Sequence, residues 1–174
     1  MAAISLETFR DTNAIQTAKY RSMVNSKLLF NFFLLRSLPM GFIAGLRVKE
    51  FTNDKCAISV PYKWLNQNPF RSTYFAVLAM AAEMSSGMMA MMHTYNSQPS
   101  ISMLVTGLEA EFVKKATGLT IFTCENGPEL LQTIEECIST GEGRTLKCTA
   151  TGRSEQGEII ARFFVTWSFK ARSK

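Results

Sequence analysis

The spacing of hydrophobic and polar positions changes several times along this chain, and each change predicts a new element. Residues 12–38 are predicted to form a helix, which the sequence LPMG ends. Residues 45–62 alternate in two short runs around Asn53 and Asp54, a pattern that predicts a β-hairpin. A polar, asparagine-rich loop, WLNQNPFRS, follows the hairpin. The first part of the chain is therefore predicted to be a helical arm followed by two paired strands.

The most apolar stretch of the chain lies in its middle and consists almost wholly of Ala, Met, Leu, Val and Phe. It is predicted to form a helix that Ser72 or Thr73 caps. This helix is expected to run to about His93 or Tyr95. Glu83 is the single carboxylate within it. Because the helix has so little polar surface for water, we expect it to lie in the core.

Strict alternation returns in the last third of the chain. In the run SMLVTGLEAEFV, one face is predicted to be apolar, with Leu104, Leu108, Ala110 and Phe112. The strand LTIFTCEN, a short helix that begins near Pro128 and two strands that meet at Gly157 follow. The final strand is predicted to bury Ala161, Phe163, Val165, Trp167 and Phe169. This order predicts one α+β domain, an antiparallel sheet around one buried helix.

Composition excludes several functional classes. Lysine and arginine outnumber the acids by 19 to 14 with no block of like charges, which is weak evidence for nucleic-acid binding and fits a small polyanionic ligand equally well. The four cysteines form no C-x-x-C pair and His93 is the single histidine, so we expect reduced thiols and no metal site. Walker and G-x-G-x-x-G loops and the G-x-S-x-G elbow are also absent from the sequence.

The stretch LLFNFFLLRSLPMGFIAGL, residues 28–46, is apolar but is interrupted by polar and helix-breaking residues, so we expect no membrane span. A helix packed on the protein is the preferred interpretation, and docking on a membrane surface is the alternative. The first residues, MAAISLETFRDTNA, lack the apolar core of a secretory signal. We therefore expect a cytoplasmic protein.

Most of the chain resembles the hotdog fold, in which a curved antiparallel sheet wraps a central helix. The segments NQNPFRSTYFAVLAMAAEMSSG, EAEFVKKATG and GEIIARFFVTWSFK are similar to the acyl-CoA thioesterase superfamily, and within it to the DUF4442 branch. The resemblance covers about residues 45–171. It implies a hotdog domain over residues 45–174 and a separate N-terminal helical arm over residues 1–44.

The resemblance also implies a reaction and the residues that perform it. The helical acid of related thioesterases corresponds to Glu83, which would activate the water that hydrolyses an acyl-CoA thioester. Asn68 would orient the water or the thioester. Substrate binding is expected of Asn66, Thr73, Tyr74, Phe75, Lys114 and Lys115. The backbone near Thr73–Phe75 would hold the oxyanion, and the lysines would meet the phosphates of coenzyme A. Coenzyme A is part of the substrate, and no other cofactor is implied.

One departure from the related enzymes leaves two further functions open. The residues Tyr74, Phe75 and Ala76 stand where phenylacetate-pathway thioesterases have a His-Gly-Gly turn. A non-catalytic acyl-CoA or fatty-acid binding protein is therefore the main alternative, and a dehydratase or hydratase is the last. The resemblance implies a homodimer or a dimer of dimers, because the family builds its pocket between subunits.

The residues themselves allow a second interpretation of each candidate. The neighbours of Glu83 along the helix are small or apolar, so burial would raise its pKa as suits a general base. The alternative is a structural carboxylate, bonded to the backbone or to an arginine across a dimer interface. The asparagines fit an ordinary turn equally well, and the two lysines fit a solvated turn. His93 is expected to be a capping or surface residue, and the methionines are expected to form core or an adaptable acyl pocket.

Overall fold

The computed structural model describes residues 6–172, so the ends of the expected arm and domain, 1–5 and 173–174, lie outside the described residues. Three helices come first: α1 Leu6–Asn25, α2 Lys27–Ser37 and α3 Pro39–Ala44. The prediction of one helix over 12–38 is wrong, because Ser26 has an extended backbone that separates α1 from α2. The last residue of α1 is Asn25, whose side-chain amide donates to the backbone carbonyl of Phe51. Asparagine commonly ends helices by such side-chain bonds to the backbone.

The rest of the chain has the expected order of elements. The strands are β1 Arg47–Phe51, β2 Cys56–Val60, β3 Ile101–Phe112, β4 Thr120–Cys124, β5 Arg144–Ser154 and β6 Ile159–Ala171. The helices are a 3₁₀ turn Trp64–Asn66, then α4 Phe75–Thr94 and α5 Gly127–Thr140. The six strands form one antiparallel sheet in the order β1-β2-β4-β5-β6-β3. β3 is therefore a long strand at one edge of the sheet.

Helix α4 lies across the sheet and forms the centre of the core. Ala81, Ala82 and Met89 are completely buried. Within residues 6–172, α4 is the one helix long and apolar enough to cross a membrane, but two-thirds of its most apolar window is buried in the protein. Its composition is thus that of a core helix, and the expected α+β layout is confirmed.

The start of α4 differs from the prediction that Ser72 or Thr73 caps it. Tyr74 occupies the N-cap position and makes no side-chain bond to the helix. The hydroxyl of Thr73 donates to the carbonyl of Ala116 at 3.2 Å, and its backbone N–H donates to the same oxygen at 2.8 Å. Thr73 therefore ties the loop before α4 to the turn that follows β3, and its hydroxyl is not available to the helix.

The faces of the two longest strands follow the prediction on β6 but not on β3. The alternate apolar residues of β6 are buried as expected. In β3, a bulge between Val105 and Gly107 shifts the register, so Leu104 pairs with the outward Ser168 while Leu108 pairs with the inward Val165. The prediction that Leu104 and Leu108 share a face is wrong, because an extra residue in one strand reverses the alternation.

Candidate functional site

Glu83 faces a cavity of about 580 Å³ between α4, the helical arm and the sheet edge. The walls are almost entirely apolar. They include Phe33 and Leu38 of the arm, Met84, Met88 and Met91 of α4, and Met103 and Trp167 of the sheet. Flexible methionine side chains can adjust to ligands of different shape. The cavity therefore suits an apolar group, with one carboxylate at its wall.

The carboxylate of Glu83 has no polar partner: within residues 6–172 its two oxygens make neither a hydrogen bond nor an ion pair. Burial raises the pKa of Glu83 above its ordinary value of 4.5, because the charged form loses hydration. Of the two interpretations of Glu83, a carboxylate bonded inside its own chain finds no support among these residues. A base that accepts a proton from bound water fits the geometry.

The residues after Glu83 bring an indole ring close to the carboxylate. Trp167 Nε1 donates to Ser86 Oγ at 2.9 Å, and this hydroxyl donates to the carbonyl oxygen of Glu83 at 3.1 Å. Gly87 leaves the space that both groups use. A Cβ at this position would lie 3.0 Å from Trp167 Cζ2 and 3.1 Å from Glu83 Oε1. The ring and the carboxylate thus share a wall of the cavity that only glycine permits without a shift.

A second cavity, of about 560 Å³, lies at the N-terminus of α4. It brings together most of the remaining predicted site residues, namely Asn68, Thr73, Tyr74, Phe75, Lys114 and Lys115. Phe112 of β3 adds an aromatic wall, edge-on to Phe75. The structure therefore gathers these residues at one place, although their roles in binding a substrate stay predictions.

Two of the three backbone N–H groups expected to hold an oxyanion already have partners. Thr73 N–H donates to Ala116 and Tyr74 N–H donates to Asn66 at 2.7 Å. The N–H groups of Phe75 and Ala76 have no partner in the described part of the chain. These two are the first donors of α4, where the helix dipole favours negative charge. An anion at this end would therefore meet Phe75 and Ala76, and not Thr73 or Tyr74.

The two asparagines of the preceding loop have different surroundings. Asn66 is buried, and its amide donates to the carbonyls of Ala44 and Pro61, each at 2.8 Å. It lines neither cavity, and this placement argues against contact with a substrate. Asn68 lines the N-terminal cavity, but its Oδ1 accepts from the N–H groups of Phe70 and Ser72. The side chain of Asn68 is thus held by its own turn through Oδ1, and its NH₂ makes no hydrogen bond to any residue from 6 to 172.

The two lysines at this cavity are not equivalent. Lys114 Nζ forms an ion pair with Glu158 at 2.7 Å. Lys115 Nζ contacts the carbonyl of Phe70 at 3.4 Å and has no ion pair with any residue from 6 to 172. Lys115 is therefore the better placed of the two to bind an anionic group.

His93 is not the capping or surface residue that the sequence suggests. It is 5% exposed, and its Nδ1 lies 3.2 Å from the amide of Asn13, which packs on it from α1. Burial lowers its pKa to about 4, so the ring is neutral. The prediction is wrong because α1, 80 residues earlier in the chain, covers the C-terminal end of α4. His93 lines neither cavity.

Glu83 and the start of α4 do not form one site within a single chain. Eight residues separate Phe75 from Glu83, which is about 12 Å along a helix. The two cavities have no lining residue in common. A thioester that reached Glu83 would therefore be out of reach of the N–H groups of Phe75 and Ala76 of the same chain.

The family model for a domain of unknown function, DUF4442, matches residues 26–169. This chain belongs to the DUF4442 family. The match covers both cavities and begins inside the helical arm, so α2 and α3 are part of the family's domain. A search of the curated proteins found no match to the chain.

Solved structures similar to this DUF4442 protein have the hotdog fold, which confirms the fold expected from the resemblance. A Pseudomonas aeruginosa protein of unknown function, named a probable thioesterase, has a TM-score of 0.72 at 17% identity over 84% of this chain and 97% of its own. A Chlorobaculum tepidum protein of unknown function has a TM-score of 0.69 at 15% identity, over 90% and 94%. A Haemophilus influenzae thioesterase has a TM-score of 0.63 at 12% identity, over 84% and 91%. Such identities establish the fold and not the activity.

The arm residues that enclose the Glu83 cavity are the part of this DUF4442 protein's site that the sequence leaves open, since an apolar run at 28–38 fits a cover for the sheet, a cover for the pocket or a membrane contact equally well. Phe33, Ser37 and Leu38 line the cavity, although they lie about 50 residues before Glu83. The sequence identifies the apolar run that contains them but not the element on which it packs. Gly87, four residues after Glu83, was the sequence signal for a close approach on α4.

Proposed function

We propose that this protein is a thioesterase that hydrolyses an acyl-CoA thioester with water that Glu83 activates. The observation that carries the proposal is the carboxylate of Glu83, unpartnered within residues 6–172 at the wall of an apolar cavity. The acyl chain lies among the methionines, and the carbonyl carbon lies near Glu83. The substrate is a small-molecule acyl thioester, coenzyme A supplies its thiol, and no cofactor takes part. The cytoplasm is the proposed compartment.

The proposed reaction needs one base and one site for negative charge. Glu83 accepts a proton from water while the water oxygen attacks the thioester carbonyl carbon. The tetrahedral intermediate then collapses, the carbon–sulfur bond breaks, and the proton on Glu83 passes to the leaving thiolate. The raised pKa of Glu83 makes it a stronger base than an exposed glutamate.

A homodimer supplies the oxyanion site in this proposal. β3 is an exposed edge strand, and Leu108 and Phe112 on its inner face are more than half exposed. Tyr74 and Phe75 extend this apolar surface. If two β3 strands pair about a twofold axis, the two α4 helices run in opposite directions. The partially positive N-terminus of one α4 then approaches the middle of the other, where Glu83 lies, and two such dimers can pair into a tetramer.

A second candidate function is non-catalytic binding of an acyl-CoA or fatty acid. It is favoured by the start of α4, where Tyr74, Phe75 and Ala76 replace the His-Gly-Gly turn of related thioesterases. The N–H groups of Thr73 and Tyr74 at this end are already bonded. Both candidates require binding, and only the first requires turnover.

The test is free-thiol release from short, long and aryl acyl-CoAs by the wild type, Glu83→Gln and Glu7→Gln. Glu7 is an exposed carboxylate on α1 and serves as the matched control. We expect Glu83→Gln to lose about 10²–10⁴-fold in kcat/KM, because a general base contributes that much, and Glu7→Gln to match the wild type. Hydrolysis that survives in Glu83→Gln would contradict the mechanism. No turnover by the wild type, with thermal stabilisation by one acyl-CoA, would favour the second candidate.

A further inference from the structure

A large apolar surface lies on the outer side of the helical arm. Leu28 is 79% exposed, Phe32 65% and Leu35 56%, and these residues recur at helical spacing along α2. The other side of the same helix buries Phe30 and Leu34. α2 thus has apolar residues on two opposite sides, one against the protein and one toward solvent. Soluble proteins rarely expose such a continuous patch without a function for it.

The patch continues onto two neighbouring elements. Met40 and Ile43 of α3 are exposed, and Trp64 and Leu65 of the 3₁₀ turn are exposed beside them. Lys63 Nζ donates to the carbonyl of Ile43 at 2.7 Å, which holds this turn against α3. We call the whole set the arm surface: Leu28, Leu29, Phe32, Leu35, Met40, Ile43, Trp64 and Leu65.

The segment of the chain that contains α2 and α3 has charges of one sign. Residues 12–49 contain six of the 19 lysines and arginines and none of the 14 acids. The rest of the chain therefore holds thirteen cations and fourteen acids, so the positive balance of the protein comes from this segment. None of the six is in an ion pair with a residue that the structure describes. Lys27, Arg47 and Lys49 line one groove beside α2.

From this arrangement we infer that the arm surface docks on an anionic lipid bilayer, with α2 and α3 lying in the plane of the interface. Exposed Leu and Phe enter the acyl boundary, while Lys27 and Arg36 stay at the level of the anionic headgroups. Trp64 is the residue type that membrane interfaces favour. In such a bilayer the apolar residues contact the acyl chains and the cations contact the anionic headgroups.

A second copy of the chain fits the arm surface less well. A twofold interface would place the same patch of each chain against the other, and with it Lys27 and Arg36 of one α2 close to the same two cations of the other. The proposed dimer uses the β3 edge, not the arm. The headgroups of an anionic bilayer attract these cations, whereas a second copy would add cations that repel them.

Docking would also place the Glu83 cavity close to lipid. Phe33 of α2 lines that cavity, while Phe32 and Leu35 of the same helix face outward. One helix, about 10 Å thick with its side chains, separates the two. The docking inference does not depend on thioester hydrolysis, because it rests on the outer side of the arm and its charge.

Vesicle flotation of the full chain tests the inference. The vesicles are phosphatidylcholine alone, or phosphatidylcholine with phosphatidylglycerol in equal parts, at low and high salt. The apolar variant is Leu28→Ser with Phe32→Ser, and its control is Ile15→Ser, an equally exposed aliphatic residue on α1. The charge variant is Lys27→Gln with Arg36→Gln, and its control is Lys170→Gln on the outer face of the sheet.

We expect the wild type to float with anionic vesicles and to be released by salt. The apolar variant should bind at least about tenfold more weakly. The charge variant should bind about 25-fold more weakly, at about fivefold for each of its two cations, and both controls should match the wild type. Lipids brominated in the acyl chain should quench the fluorescence of Trp64, and Trp64→Phe should remove that quenching.

Three results would overturn the inference. The first is a wild type that stays in solution with anionic vesicles. The second is binding that the apolar and charge variants leave unchanged. The third is a fall in oligomeric state of either variant in sedimentation velocity without vesicles, which would assign the arm surface to a contact between proteins.

Discussion

Glu83 and His93 lie ten residues apart on α4. Burial raises the pKa of Glu83 and lowers the pKa of His93, so it favours the neutral form of both side chains. His93 is held in a buried contact with Asn13, and it lines neither the Glu83 cavity nor the cavity at the start of α4. Glu83 faces open apolar space and has no polar partner within residues 6–172. A shifted pKa is therefore common to a structural group and a candidate base. The unsatisfied polar atoms beside a cavity distinguish the second from the first.

Of the two groups, His93 should have the larger effect on folding stability, and that effect should be seen at acid pH. Between pH 6.5 and about 4 the unfolded chain binds a proton at His93 that the folded chain does not bind. Folding stability therefore falls as the pH is lowered through this window, by roughly 3 kcal/mol. His93→Gln removes this loss, so its free energy of unfolding should depend less steeply on pH.

Urea unfolding of the wild type and His93→Gln across that window measures the difference. The ion pair of Glu135 with Arg10 is present in both proteins, so the acid sensitivity that Arg10 gives to Glu135 is common to the two. Equal pH slopes would show that His93 is protonated in the fold. Thioester hydrolysis near neutral pH should be the same in both proteins.

Loss of the partner of His93 should have the next largest effect. Asn13→Ala leaves a buried imidazole nitrogen without its bond, which should cost about 1–3 kcal/mol. That corresponds to a fall in Tm of several degrees for a chain of this length, with kcat/KM unchanged. The control is Gln16→Ala, which removes an exposed bond from the next turn of α1 and should cost less than about 0.5 kcal/mol. Equal losses from the two variants would contradict a buried structural role.

Much of the fold could be predicted because its signals are local. The length of α4 and the buried face of β6 follow from the spacing of apolar residues within one element. The wrong prediction for β3 also has a local cause. Strict alternation holds before and after the bulge between Val105 and Gly107, but the bulge exchanges the two faces of the strand.

The surroundings of the site could be predicted much less well, because they come from distant parts of the chain. Glu83 was identified as the carboxylate of an apolar helix, but the arm that encloses its cavity lies about 50 residues earlier. The burial of His93 could not be predicted for the same reason, since the residues that cover it belong to α1. The sequence of α4 alone does not distinguish a covered position from an open one.

A substitution at Gly87 changes the shape of the Glu83 cavity while Glu83 itself is kept. Gly87→Ala would place a methyl group 3.0 Å from Trp167, whose indole cannot move easily because it is bonded to Ser86. We expect a loss of about 1 kcal/mol in stability and a higher KM for the longest acyl chains. Gly143→Ala is the control, because its nearest neighbour is 3.7 Å away. A KM that rises equally for short and long chains would argue against an acyl chain in this cavity.

The smallest expected effect is a gain in folding stability when the charge of Glu83 is removed. Its sign is opposite to that of the loss expected for Asn13→Ala. Because the folded pKa of Glu83 is raised, the folded chain keeps its proton at a pH where the unfolded chain has lost it. Stability therefore falls as the pH rises above 4.5, and the cost is fully present above the folded pKa. Glu83→Gln carries no charge, so it should have a higher Tm than the wild type near neutral pH.

Thermal unfolding across this pH range separates the cost of ionised Glu83 from any stabilising contact that its carboxylate makes. The gain in Glu83→Gln should shrink as the pH approaches 4.5, where Glu83 is protonated in the folded wild type. If Glu83→Gln is instead less stable near neutral pH, the carboxylate makes a stabilising contact, for which the arginine of a second subunit is the candidate. A gain in stability together with a loss of hydrolysis would mean that the unpartnered carboxylate is kept for its chemistry, at a cost to the fold.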